Sequence, residues 1–101
     1  MNNIASVDDG ERLLSPAPYV LCVKYVDMTV LLDVEHGQYY SLNDTGGDIW
    51  KMLCEGHTRT AIVSALANEY GIDTDTATHD VHVLLNEMLD ATLIHVTTEN
   101  H

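Results

Sequence analysis

Between Tyr19 and Leu42 the sequence leaves the chain little topological choice. Three runs rich in β-branched and aromatic residues, YVLCVKYV, TVLLDVE and QYYSL, are separated by breaks of only two residues, Asp27-Met28 and His36-Gly37. Each run has the length and composition of a strand. A break that short closes a hairpin and cannot make the crossover that parallel strands require. Gly37 can take the positive φ that a tight turn demands. The segment therefore predicts a three-stranded antiparallel meander. Its last strand, Gln38 to Leu42, is an edge unless another element covers it.

Beyond Leu42 the apolar period lengthens from two to nearly four. Asn43 is a good N-cap, with Asp44 and Asp48 placed to favour the positive end of a helix. Ile49, Met52 and Leu53 form its stripe, Trp50 flanks it and Gly56 ends it. Gly46-Gly47 let this helix start close beneath the preceding strand. Thr58 caps a second helix, RTAIVSALANEY, with Ile62, Val63, Leu66 and Tyr70 on one face and Gly71 as its left-handed exit. Asp73 caps a third, running to about Ala91, whose buried stripe is Ala77, Val81, Leu84, Leu85, Met88 and Leu89. The fold class is α+β: a winged helix-turn-helix, a three-stranded antiparallel sheet followed by three helices. Residues 1–17 are acidic and weakly patterned up to a stiff SPAP lead-in, and read as a flexible arm. Residues 18–96 form the domain and 97–101 a tail; LIHV at 93–96 adds a short strand or packs down.

The chain has 101 residues, enough for one small core, and 46% of them are hydrophobic. Sixteen Asp and Glu against four Lys and Arg give a net charge of -12. Nucleic-acid binding relies on cations that displace counterions, so this balance argues against it, and against anionic membrane surfaces. The third helix, the recognition helix of a DNA-binding winged helix, has no Lys or Arg between residues 74 and 91. The N-terminus has no signal-peptide pattern and no run is long enough to span a bilayer, so a cytoplasmic protein is expected. Cys22 and Cys54 are too few for a disulfide framework and read as core thiols.

No reactive constellation emerges. His79 and His82 share a helix face, but no convergent set of four ligands accompanies them, so no metal is expected. Cys54 with His57 lacks an orienting third group. Gly46-Gly47 lacks the lysine of a phosphate cradle, and Asp44 and Asp48 beside it would repel an anion. The expectation is a protein that is not an enzyme and carries no cofactor. The edge strand remains. An unpaired strand can take up an extended peptide by strand addition. Main-chain bonds contribute about 0.5–1.5 kcal/mol each. Four or five fall short of the roughly 8 kcal/mol of a micromolar complex, so side-chain pockets must add to them. The third helix offers a wall, where the apolar Val83 sits on a side otherwise occupied by Thr76, His79, Asp80, Asn86 and Glu87.

The run LLDVEHGQYYSLNDTGGDIWKMLCEGHTRTAIVSALANEYGI, followed by DVHVLLNEML, resembles the PqqD-like family, the precursor-peptide recognition elements of ribosomally made peptide natural products. The specific pieces are Leu-Asn-x-Thr-Gly-x-x-Ile-Trp (Leu42 to Trp50), Glu-Gly-x-Thr (Glu55 to Thr58) and Asp80-Val81. The resemblance implies a winged helix-turn-helix that binds a precursor's leader by strand addition to the third strand of the sheet, beside the third helix. By that resemblance Gln38, Tyr39, Tyr40, Ser41 and Leu42 supply backbone pairing. Thr76, His79, Asp80, Val83 and Glu87 face the groove, and Tyr39, Tyr40, Val83 and Leu84 wall its pockets. Asp80 either faces the peptide or braces the helix packing. Within the family the chain looks most like the leader-binding subunit of a split lasso-peptide maturation system, whose partners are a separate cysteine-protease subunit and a cyclase. The alternatives are a peptide chaperone of the pyrroloquinoline quinone pathway partnering a radical SAM enzyme, and a transcriptional regulator.

Overall fold

The computed structural model describes residues 13–96. The meander consists of β2 (Val20–Lys24), β3 (Thr29–Asp33) and β4 (Gln38–Leu42), antiparallel and in the order β2-β3-β4. The Tyr25 N–H donates to the Met28 carbonyl at 2.8 Å and closes the first turn. In the second turn Gly37 has a φ of +68° and its N–H donates to the Asp33 carbonyl at 2.8 Å. The side chain of Asp33, only 1% exposed, holds the same turn together. Its Oδ1 accepts from the Glu35 and His36 N–H groups at 3.0 and 2.9 Å, and its Oδ2 lies 2.7 Å from His36 Nδ1. Burial alone would raise the Asp33 pKa. The backbone and ring hydrogen bonds from His36, its charge and the Glu35 N–H outweigh burial and hold the pKa below its ordinary value.

Three helices follow: α1 (Asp44–Cys54), α2 (Arg59–Tyr70) and α3 (Thr74–Asp90). Each starts at its expected cap. Asn43 accepts from the Gly46 N–H at 2.8 Å, Thr58 from Ala61 at 3.1 Å and Asp73 from Thr76 at 2.7 Å. The core joins Leu31 of the sheet to Ile49, Leu53, Ile62, Leu66, Val81 and Leu85, none more than 1% exposed. Each such side chain contributes about 1.5–3 kcal/mol on burial. Two expected core positions of α3, Leu84 and Leu89, are only half-buried, and Tyr70 is 40% exposed at the end of α2. There the Tyr70 hydroxyl donates to Asp48, and that bond, with lesser burial and charge effects, raises the phenol pKa.

The domain begins earlier than residue 18. β1 (Leu14–Pro16) pairs antiparallel with β5 (Ile94–Val96) in a separate ribbon, and Leu14 and Ala17 are buried. The Ala17 N–H donates to the Leu93 carbonyl at 2.9 Å, so residues 13–17 are tied to the C-terminal end of the domain. The remainder of the expected arm, 1–12, and the tail, 97–101, lie outside the described residues. The reading of the cysteines as core thiols is also corrected, because Cys22 and Cys54 are both exposed. Cys22 stands on the edge strand β2, beyond the cover that α1 gives Leu31, and Cys54 is the last residue of α1. Among the described residues no helix is long and apolar enough to cross a membrane.

Candidate functional site

A groove runs between β4 and α3, and its form follows from how α1 starts. Asn43 ends the strand and caps the helix, so α1 turns back at once beneath β4. Gly46 and Gly47 permit this close approach. A Cβ on Gly46 would stand 3.2 Å from Leu42 Cβ, and one on Gly47 would stand 2.8 Å from the Thr29 hydroxyl oxygen. Two glycines thus bring the helix nearer the sheet than alanine would. α1 supplies the floor of the groove through Thr45, Gly46 and Ile49, β4 one wall and α3 the other.

The groove has a volume of about 430 Å³ and gathers seven of the expected site residues: Ser41, Leu42, His79, Asp80, Val83, Leu84 and Glu87. Ser41, Leu42, Leu84 and Glu87 also line an adjoining hollow of about 300 Å³. Its remaining walls are Tyr40, Met88, Ala91 and Leu93, so it is largely apolar. The spacing Asp80, Val83, Leu84, Glu87 follows one helix face, which explains why these residues meet. Among the described residues β4 pairs only with β3, so the strand beside the groove has an unpaired edge.

Three expected residues line neither hollow. Tyr39 alternates onto the opposite face of the sheet, cross-strand from Leu32, and is 71% exposed. Gln38 stands at the far end of β4 opposite Asp33, where its Oε1 accepts from the Tyr40 hydroxyl at 2.8 Å. Thr76 lies in the first turn of α3, where its N–H is engaged by the Asp73 cap. Conversely, Asn43, Thr45, Gly46 and Ile49 of the floor and Met88, Ala91 and Leu93 of the second hollow were not among the expected site residues. The Gly-Gly pair at a helix start was the available signal for the floor, since it marks close packing.

The electrostatics favour cations. Asp80 and Glu87 border the groove, and α3 carries no Lys or Arg. His82 points elsewhere: its Nδ1 accepts from Arg59 Nη1 at 3.0 Å, tying α3 to α2. Among the described residues no three His, Cys, Asp or Glu side chains converge as a set of metal ligands. Cys54 is not poised as a nucleophile. Burial, then Cys22 and Glu55, push its thiol pKa up, opposite to the shift of an activated cysteine. His57, the imidazole nearest it in sequence, instead faces Glu55 at 3.4 Å. The arrangement can hold an extended chain against β4 and accommodate apolar side chains.

A family model described as Coenzyme PQQ synthesis protein D (PqqD) matches residues 28–94. Two solved structures are similar. One is TbiB1 in complex with the TbiA(beta) leader peptide, 28% identical with a TM-score of 0.78, covering 84% of this chain and 99% of that one. The other is a lasso peptide synthetase B1 complexed with the leader peptide, 26% identical with a TM-score of 0.76, covering 81% of this chain and 96% of that one. No curated protein matches significantly.

Proposed function

This chain belongs to the PqqD family, and from that premise we propose that it is a non-catalytic adaptor that binds the leader of a ribosomally made precursor peptide. The observation that carries the reading is the unpaired β4 edge lying along an acid-rimmed groove that adjoins an apolar hollow. The leader adds as a strand to Gln38–Leu42, where main-chain bonds give general affinity. Apolar leader side chains enter the two hollows against Tyr40, Val83, Leu84 and Met88 and give specificity. Asp80 and Glu87 attract Lys or Arg of the leader, which speeds encounter more than it deepens affinity. His79 completes this wall.

Both similar structures hold a leader peptide and one of them is a lasso peptide synthetase B1, which favours the lasso pathway. In that setting the adaptor acts in the cytoplasm and delivers its peptide to a separate cysteine-protease subunit and then to a cyclase. The family model's description favours a second reading, a chaperone partnering a radical SAM enzyme of pyrroloquinoline quinone synthesis. Calorimetry against the leader encoded beside this chain tests the proposal. Micromolar binding with amide shifts at 38–42 and along α3 is expected. Absence of heat and of shifts at high micromolar concentration would overturn it. Adding the protease subunit then separates the two pathways, because only the lasso reading predicts leader cleavage that this chain accelerates.

A further inference from the structure

The sheet has a second edge. Among the described residues β2 pairs only with β3, so its outer side is as unpaired as that of β4. Beside it lies another hollow, of about 340 Å³, roofed by α1 instead of α3. Cys22, Trp50 and Cys54 give it an apolar body. Unlike the leader groove it is lined by cations, although Lys24 also borders a neighbouring hollow with Asp44 and Asp48. The sequence contains only two lysines, Lys24 and Lys51, and both line this hollow. Among the described residues neither makes a salt bridge within 4.0 Å. The one acid in the lining, Glu55, faces His57 at 3.4 Å.

Two exposed cations beside one hollow, neither in a salt bridge among the described residues, form a local positive feature on a chain of net charge -12. A lysine on a strand edge also discourages self-pairing, which would account for Lys24 alone. Lys51 is on a helix and has no such role. We propose that the β2 edge is a second docking site, for an extended acidic segment of a partner protein. Its backbone pairs with β2, an apolar side chain enters beside Trp50, and flanking carboxylates meet Lys24 and Lys51. A second copy of this chain is disfavoured, because each copy carries the same charge of -12. The site is separate from β4, and it stands whether or not β4 takes a leader.

The test uses the full chain and a blocked peptide of alternating valine and glutamate, with a valine-lysine peptide as control. Binding is read by amide shifts and by the rate at which Cys22 and Cys54, the only cysteines, are alkylated. The glutamate peptide is expected to shift amides of 20–24 and 47–55 and to slow alkylation of both thiols. The double variant Lys24→Glu/Lys51→Glu should bind it about tenfold more weakly, as expected for losing two exposed charge pairs. That variant should keep the native spectrum elsewhere and its affinity for a leader. Shifts confined to 38–42 and α3, equal binding of the lysine peptide, or no shifts at millimolar peptide would each overturn the proposal. A leader titration on the same sample reads the β4 site independently, so failure of one reading is distinct from failure of the other.

Discussion

Val83 offers the sharpest test of the β4 groove. It lies in the wall formed by α3 and is 40% exposed, so a docked peptide would cover what the fold leaves open. Complete burial of a valine contributes about 1.5–3 kcal/mol, and two-fifths of that is roughly 0.6–1.2 kcal/mol. Val83→Ala should therefore weaken leader binding by at most about three- to eightfold. Val83→Glu does more. It places a carboxylate three residues after Asp80 and four before Glu87, and a docked peptide must then desolvate it. That adds about 1–3 kcal/mol for a buried group without a partner, so a loss of tenfold or more is expected. Stability should change little, because an exposed position away from the core costs about 0.5 kcal/mol or less. Leader titrations by fluorescence anisotropy, paired with thermal melts, decide the matter. Undiminished binding by Val83→Glu would refute the groove as the peptide's place. A melting temperature that falls in step with affinity would make Val83 a packing residue instead.

Gly47→Ala sets helix propensity against space. Alanine favours a helix by about 1 kcal/mol over glycine, but its Cβ would lie 2.8 Å from the hydroxyl oxygen of the buried Thr29. Overpacking costs about 1–3 kcal/mol, so urea melts followed by Trp50 fluorescence should show net destabilisation alone and stabilisation when Thr29→Ala is the background; stabilisation by Gly47→Ala alone would sink the close-approach argument. The Asp33 carboxyl has its native pKa below the ordinary value of 3.8, so its stabilising contribution is complete above that value and is lost as pH falls through the lower native one. Melting curves across the acid range should show a steeper decline for the native chain than for Asp33→Asn, and parallel curves would contradict the linkage.

Local chemistry made the domain's central elements legible. Strand runs, two-residue breaks and three capping side chains each act within a few residues, so pattern alone placed β2 to β4 and α1 to α3. What it could not place depended on contacts between distant parts of the chain. Leu14–Pro16 looked like part of an arm because its partner, Ile94–Val96, stands at the other end of the sequence. The cysteines looked buried because a strand pattern does not show where the covering helix ends. The α3 wall follows one helix face, whereas strand alternation turns the Tyr39 side chain away from the groove and the floor residues needed the angle at which α1 leaves β4.

The geometry also explains how a shape associated with DNA can serve a peptide. A helix that reads a groove of DNA needs cations to approach phosphates at all. On α3 those positions carry Asp80, Glu87 and neutral side chains. A strand edge has no such requirement, since its donors and acceptors are backbone groups present whatever the sequence. Acids in place of cations on the helix therefore disfavour one class of ligand and leave the adjoining edge unaffected. The same reasoning separates the two edges of the sheet. They are equivalent as backbone and differ in the side chains beside them, with Asp80 and Glu87 of α3 by β4, and Lys24 of the strand itself and Lys51 of α1 by β2. Under the two proposals, selectivity between ligands lies in these flanking side chains, while the sheet offers the same backbone attachment at both edges.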